Sequence, residues 1–587
     1  MRRLFICAAR AGCGALYSKL YRTSAGAALT NLNPLLQLRR QNNFGAALLQ
    51  LRTPVLNPLN FPTNLLPSEK LVITNTQTIQ AISKLKGNVS TTPDQVPALF
   101  IKRTCSTLST PMTQLFNLSL NQGLVPHIWK KAEVIPIPKN KGVRSNPASQ
   151  RPISLTSPFC RIMEVIVHDD ITDYLMNNNL ISTVQHGFIK FRSTQTQHID
   201  LLDKITVNYE QHTASIIIYL DFSKAFDSVP HSKLIYTLKH FKINTQIVNW
   251  ITDYLSNRTQ QTVVEGCKSS PCAVTSGVPQ GSVLGPLLFV LYLEDLIRKL
   301  QSIDGISVYV FADDLKILST NPSSLQKALD VVNNWSINWQ LPINPSKSEQ
   351  IIFCRHPISP KPTFTINNSI IPIVNTIKDL GVILSDNLKW NPHIQKIYSK
   401  SISLLYLTLK SFCSTDPFFY VNLYKLYIRP NLEYNVCTWN PFQRGDVKRI
   451  ESVQEKFTRF LCKKCHIKYN NYLHRLDILH LETLEIRRVK QDMILIYKML
   501  NNLIDLNFSK YFSLHTTVST LHLRRHRFYI KLPKFSKTSA RNNFFNYRCI
   551  SAWNKLPDDV VSSNSLSIFK SKLNKVNFDN IINITNF

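Results

Sequence analysis

The sequence contains no run of 18 apolar residues, the length a helix needs to cross a bilayer core, and so offers no membrane span. Acidic residues are scarce: 36 Asp and Glu stand against 69 Lys and Arg, a formal charge of +33. An excess of that size fits a polyanion partner, because a cationic surface that releases counterions from backbone phosphates gains free energy. Charge by itself leaves DNA, RNA, an acidic membrane surface and a merely soluble basic protein all open. Most of the cysteines also lack a near neighbour in sequence. The twelve cysteines are scattered, mostly singly among apolar residues, as in Phe159-Cys160-Arg161 and Ile352-Phe353-Cys354. That fits reduced thiols inside a cell better than a disulfide framework. No internal repeat and no long low-complexity linker is present. What remains is 587 residues with a 44% hydrophobic share, enough for several globular domains.

Two stretches lack acids altogether. Residues 1–68 carry eight Lys and Arg and no Asp or Glu. With their small residues (Ala8-Ala9-Arg10-Ala11-Gly12) they resemble a mitochondrial transit peptide; an upstream remnant or a misplaced start gives the same texture. They are set aside as a basic N-terminal extension. Residues 506–557 carry ten Lys and Arg and again no acid, with Phe528, Tyr529, Phe535, Phe544, Phe545, Tyr547 and Trp553 interleaved. One reading is a nucleic-acid surface in which Arg524, Arg525 and Arg527 hold phosphates and exposed rings stack on bases. The other is a small aromatic core under a solvated basic face.

Between these stretches the chain is regular. Leu108, Met112, Leu115, Phe116 and Leu118 predict a helix over 105–122. Residues 216–220 predict a buried strand, and 306–311 and 315–318 a tight hairpin with Asp313 and Asp314 at its tip. Residues 323–340 read as a helix and 350–353 as a strand. Long amphipathic helices follow, clearest over 446–465 and 476–503. Asp221 ends the first strand. An acid at a strand end is usually a turn residue or a cap, but adjacent acids flanked by apolar strands repel unless a cation compensates. Nucleotidyl transfer uses two divalent cations, one at the attacking 3′-hydroxyl and one at the leaving pyrophosphate. Magnesium prefers the hard oxygens that Asp221, Asp313 and Asp314 would supply.

At these residues the sequence resembles a family. Ile218-Tyr219-Leu220-Asp221-Phe222-Ser223-Lys224-Ala225-Phe226-Asp227 and Phe311-Ala312-Asp313-Asp314 look like the two catalytic motifs of reverse transcriptases from jockey-like non-LTR retrotransposons. Ser276-Gly277-Val278-Pro279-Gln280-Gly281-Ser282-Val283-Leu284-Gly285-Pro286 is similar to the family's template-and-nucleotide loop. Arg151-Pro152-Ile153-Ser154-Leu155 and Gln185-His186-Gly187-Phe188 resemble its fingers motifs. Asn344-Pro345-Ser346-Lys347 and Leu380-Gly381-Val382 resemble its late palm motifs, and Trp553-Asn554-Lys555-Leu556-Pro557 its C-terminal signature. One departure is Ser149-Gln150, where the family usually has Asn-Tyr.

The resemblance implies an α+β right-hand polymerase with a ferredoxin-like antiparallel palm, mostly helical fingers and a helical thumb. It implies fingers at 69–205, palm at 206–390, a reverse transcriptase domain over about 115–385, a thumb at 391–505 and a basic aromatic region at 506–587. It also implies RNA-directed DNA synthesis with magnesium, or manganese in its place, on an RNA template, a DNA primer or target and deoxynucleoside triphosphates. Asp221, Asp313 and Asp314 would be the catalytic metal ligands. Phe222, Phe226, Arg151, Lys139, Gln280 and Lys347 would contact the nucleotide. Phe226 would exclude a 2′-hydroxyl, the cations would meet the triphosphate, and Lys347 could protonate the pyrophosphate. Gly277, Gly281, Arg192, Arg524, Arg525 and Arg527 would meet template or primer, the glycines by letting backbone approach closely.

Alternative readings are a decayed copy that only binds nucleic acid and an intron-encoded reverse transcriptase. The intact acids argue against the first, and the Trp553 region against the second. Cys462 and Cys465, followed by His474 and His480, suggest zinc, but the eight-residue gap before His474 is short for a ββα finger. The short, acid-poor leader predicts no endonuclease, and the acid-free tail no RNase H. The expected location is intracellular, in a nuclear or cytoplasmic ribonucleoprotein, with mitochondrial import as the alternative from residues 1–68.

Overall fold

The computed structural model describes residues 65–87, 92–139, 146–356, 358–515, 526–533, 540–578 and 581. Most of the N-terminal extension, with Arg524, Arg525 and Phe535, lies outside them. The chain divides into two compact units whose segments alternate along the sequence. The first comprises 1–181, 224–292 and 338–341, and the second 182–223, 293–337 and 342–587. Nine strands concern us: β1 (Lys131–Pro138), β2 (Gln150–Leu155), β3 (Ser215–Leu220), β4 (Arg258–Val264), β5 (Cys267–Lys268), β6 (Cys272–Val274), β7 (Ile306–Phe311), β8 (Asp314–Ser319) and β9 (Glu349–Phe353).

The first unit carries a sheet beside its helices. Its sheet runs β2-β1-β4-β5, with β6 also on β4, and β1 is antiparallel to β2 but parallel to β4. Only Ile135–Lys139 gave an extended signal in the sequence, because the prolines at 136 and 138 break any alternation. The predicted helix spans Cys105–Gln122 and stops at Gly123, whose φ of 65° gives the left-handed C-cap that glycine adopts without strain. It buries Met112, Phe116 and Leu120 but leaves Leu115 and Leu118 exposed. The inward stripe is thus the i, i+4, i+8 row and not the whole apolar set.

The second unit contains a four-stranded antiparallel sheet, ordered β7-β8-β3-β9. Its centre, β3, pairs Ile218 with Ile317 of β8 and Ile217 with Ile351 of β9. Every β3 residue except Tyr219 is buried, as a central strand with apolar residues on both faces requires. Ile199, Leu202 and Ile205 of the helix Thr194–Glu210 join the same core as Ile217 and Ile351. That core continues into the helices Asn391–Ser411, Arg444–Lys464 and Leu484–Leu500. The single helix predicted over 476–503 is two: Tyr472–Ile478 ends, His480 turns left-handed at φ 49°, and the Thr483 side chain caps the restart. A local hydroxyl cap therefore overrode a continuous apolar pattern.

The aromatic tail is corrected as well. Phe544, Phe545 and Trp553 belong to this core and are not exposed stacking platforms. Trp553 is fully buried, donates its indole N–H to the Phe528 carbonyl at 3.0 Å, and lies against Phe569 and edge-on to His526. Nor are the tail's cations all available for phosphates. Arg541 meets Asp203 at 2.6 Å, and Arg548 meets Asp492 through two nitrogens at 2.9 and 3.1 Å. Among the described residues no helix is long and apolar enough to cross a membrane. Trp553→Ala should cost about 3–5 kcal/mol, the range for a large buried ring, measured as an earlier guanidinium unfolding transition. A shift below about 1 kcal/mol would show that the tail is not part of the core.

Candidate active site

In the second unit the chain leaves β3 at Asp221, one step beyond the pair Leu220–Leu315. The β7–β8 hairpin closes with Phe311 paired to Asp314, leaving Ala312 and Asp313 as its two-residue loop. The register therefore brings Asp221, Asp313 and Asp314 to one end of the sheet. Ala312 sits at φ 57°, a conformation that strains an L-residue by roughly 1–2 kcal/mol. The surroundings impose it: Ala312 is buried and donates its N–H to the Gln185 side-chain oxygen at 3.0 Å. Backbone strain of this kind collects at functional turns.

The three carboxylates differ. Asp221 is partly exposed and pairs with the Lys347 ammonium at 3.0 Å, while its carbonyl accepts the Asn344 N–H at 2.8 Å. Asp314 is open to solvent yet crowded. Crowding desolvates it, Asp313 repels it, Lys316 partly offsets this, and Asp379 and Asp221 add further repulsion. Its carboxyl is thereby raised to about 6. Mutual repulsion among oxygen donors is the electrostatic pattern that a hard divalent cation relieves. Among the described residues no three His, Cys, Asp or Glu side chains are already gathered around one metal position. That covers the acids above and also Cys462, which is a buried core residue.

Other predicted residues of this unit are placed as follows. Phe222 is buried, and its ring meets Trp335 edge-on at 6.4 Å, so only its main chain can face a nucleotide. Arg192 is corrected: its guanidinium is spent inside the protein. It donates to the carbonyls of Ser182 and Gln185 at 2.7 and 2.8 Å and pairs with Asp505 at 2.6 Å. Its side chain is 5% exposed, leaving almost nothing for a template. Arg527 is exposed, with its guanidinium 4.6 Å from the Phe528 ring centre.

In the first unit Phe226 is half-buried and stacks on Phe289 at 4.5 Å. The Gly277–Gly285 loop is clamped from several sides. The N–H groups of Gly277 and Val278 donate to the carbonyls of Val229 and Phe226, both at 2.8 Å. A Cβ on Gly277 would stand 2.7 Å from the backbone of Phe226 and Asp227, and one on Gly281 2.6 Å from the Ser154 carbonyl. The close approach anticipated for these glycines is thus made to the protein's own backbone. Gln280 donates its amide to Asp227 at 3.1 Å. Arg151 and Lys139 are exposed at the joined ends of β1 and β2, with Arg151 opposite Ile137.

Three contributors escaped the sequence reading. Gln185 accepts hydrogen bonds from both Gly187 and Ala312 and so holds the Asp313 turn. Glu164, fully buried, accepts the N–H groups of Val283 and Leu284 at 2.7 and 3.1 Å where the loop enters its helix. Lys316 makes a buried pair with Asp379. Only Lys316 left a signal, as a lone charge within the apolar run of β8.

The chain is similar to known proteins over its central part. Residues 137–384 match the family model described as "Reverse transcriptase (RNA-dependent DNA polymerase)". The probable RNA-directed DNA polymerase from transposon X-element of Drosophila melanogaster is 27% identical over 62% of this chain and 41% of its own length. The RNA-directed DNA polymerase from mobile element jockey of the same fly is 27% identical over 59% of this chain and 39% of its own. The R2 retrotransposable-element polyprotein of Popillia japonica is 29% identical over 44% and 38%. The chain spans about two fifths of the length of these relatives. A solved structure of apo telomerase from Candida tropicalis aligns over 48% of this chain and 58% of its own at 12% identity, with a TM-score of 0.33, too slight a likeness to carry an argument. Motif order, the antiparallel sheet with acids at one end, and the sequence matches converge: residues 137–384 make up a domain of the reverse transcriptase family, similar to those of the mobile elements named above.

Proposed function

We propose that the chain is an RNA-directed DNA polymerase that extends a DNA 3′-hydroxyl along an RNA template with deoxynucleoside triphosphates. The observation that carries this is the meeting of Asp221, Asp313 and Asp314 at one end of the sheet in a domain of this family. Asp221 and Asp313 would hold magnesium, with Asp314 beside them. Bound there, divalent cations would make the 3′-hydroxyl a better nucleophile and balance the charge of the departing pyrophosphate. The chain's own groups do the rest. The Lys347 ammonium, beside Asp221, would neutralise an oxyanion or release a proton to it. Arg151 and Lys139 offer exposed cations to a triphosphate, Arg151 with the fork that suits bidentate contact. Phe226, braced by Phe289, presents a rigid ring that would collide with a 2′-hydroxyl. The expected setting is an intracellular ribonucleoprotein with RNA template and DNA target.

Asp313→Asn should abolish primer extension on RNA while RNA affinity stays within about twofold; normal extension would remove Asp313 from the site. Phe226→Val should raise the ratio of ribonucleotide to deoxynucleotide incorporation by tenfold or more, read from kcat/KM for each. An unchanged ratio would make Phe226 a packing residue. The raised Asp314 carboxyl sets a pH dependence. Below about 6 Asp314 is protonated and loses its charge, so manganese affinity, followed by electron paramagnetic resonance, should fall about tenfold per pH unit. Above that pH it should level off, and Asp314→Asn should flatten the fall. A slope that persists in the variant belongs to another group.

A further inference from the structure

The helical part of the second unit holds a cavity of about 400 Å³ whose walls are mostly cationic. Lys425, Arg429 and Arg487 line it, together with His480, Glu482 and Asn574. Lys425 lies in a single π-helical turn, Tyr424–Ile428, which the Arg429 N–H closes on the Tyr424 carbonyl. Pro430, which has no N–H to continue the ladder, follows at once. Wide turns of this kind recur at functional sites. Lys425 and Arg429 stand four residues apart, the spacing at which helical side chains share a face, and like charges so placed repel. Arg487 reaches the same cavity from the helix Leu484–Leu500 and adds a third cation. Desolvation, then Arg429, then Arg487 hold the Lys425 ammonium below its ordinary value.

The nearby acids do not neutralise this group. Glu433 is held by Arg487 through both carboxylate oxygens, one of them at 3.0 Å, and lies 3.7 Å from Arg429. Glu482 pairs with Lys490 and stands 3.8 Å from Arg487. Lys425, Arg429, Arg487 and Lys490 thus meet two carboxylates, which leaves two positive charges over. Among the described residues no hydrogen bond or ion pair engages the Lys425 ammonium. Cations crowded into a half-buried cavity repel until an anion joins them. A phosphate group fits the surplus: it carries one to two negative charges and several acceptor oxygens, and guanidinium forks match its geometry. A single carboxylate supplies one charge and two oxygens. We propose that this cavity binds a phosphate group through Lys425, Arg429 and Arg487. The same chemistry is offered by the phosphodiester of a nucleic-acid backbone and by free phosphate. The site needs none of the acids at the end of the sheet, so it stands apart from the polymerase reading.

The test is acylation of the Lys425 amine by an N-hydroxysuccinimide ester on the full chain, followed by mass spectrometry of the peptide that carries it. The rate is measured alone and against two probes, a twelve-nucleotide DNA without terminal phosphate and inorganic phosphate, with chloride as the reference at equal ionic strength. At about ten times its half-protecting concentration, the probe that occupies the cavity should slow Lys425 labelling roughly tenfold. Protection by the oligonucleotide assigns the site to a nucleic-acid backbone; protection by inorganic phosphate alone assigns it to the free ion. Arg429→Gln should raise the half-protecting concentration roughly tenfold, the loss of one charged hydrogen bond, with each rate taken relative to the same protein without probe. Labelling unchanged by both probes overturns the proposal and needs no variant, so no folding defect touches it. Oligonucleotide protection as strong in Arg429→Gln as in the wild type also overturns it, because nucleic acid then merely covers Lys425 from outside. Protection by polyglutamate and by neither phosphate probe would make the cavity a dock for an acidic protein segment, which overturns it as well. Primer extension takes no part in the readout, so failure of the polymerase reading would be seen separately.

Discussion

Lys316 stands in the middle of β8 with its ammonium almost shut off from water, and Asp379 meets it at 2.5 Å. The same carboxylate has the His198 ring at 3.3 Å and accepts the Tyr219 hydroxyl at 3.1 Å. Lys316 also donates to Gln197 at 2.6 Å. Each buried charge alone would cost several kcal/mol, and removing one partner of such a pair typically costs about 3–5 kcal/mol. Burial pushes the Asp379 carboxyl up, but Lys316 and His198 outweigh it and hold it well below the usual carboxylate range. The sheet that carries the acidic end is thus anchored by a neutralised pair lying directly across from Tyr219 on β3. At Asp314 the two members of that pair act in opposite senses, Lys316 offsetting the repulsion and Asp379 adding to it, so a net upward push on its carboxyl remains.

The parts of the fold that were legible share one property: each is set by a short local pattern. The strands around Asp221 and the Asp313 turn appear within a residue of expectation, because a central strand is an unbroken β-branched run whatever surrounds it. The helix over 105–122 was equally plain, since Gly123 ends it. What failed depends on partners remote in sequence. Arg192 looks like any cation near a motif, and only the folded chain shows that Asp505, more than 300 residues away, claims it. Glu164 is an ordinary acid in an amphipathic stretch until the chain brings Val283 and Leu284 to it.

The basic tail shows how composition misleads when counted without partners. An acid-free stretch suggested cations free for phosphate, but the stretch borrows its acids from elsewhere: Asp203 for Arg541, Asp492 for Arg548, and Asp200 for Lys510. Interleaved aromatics likewise read as a surface pattern, yet Phe545 and Trp553 are wholly buried. A ring every few residues is what a tail needs if it is to close a core with little regular structure of its own. Net charge remains a sound guide to the partner of the whole chain. It does not assign that partner to the segment where the excess is densest.

A shared device holds the candidate-site segments of each unit. Turns and helix starts leave backbone N–H groups without partners, and each must be satisfied or carry a cost. Here remote side chains satisfy them: the Gln185 oxygen at Gly187 and Ala312, and the Glu164 carboxylate at Val283 and Leu284. Water could serve the same donors, but it would leave the turns free to move. A buried side-chain acceptor ties each turn to a segment remote in sequence, so the position of Asp313, or of the Gln280 loop, becomes a property of the packed core. That accounts for strained residues such as Ala312 at these points: the donor geometry is fixed first, and the backbone bends to meet it.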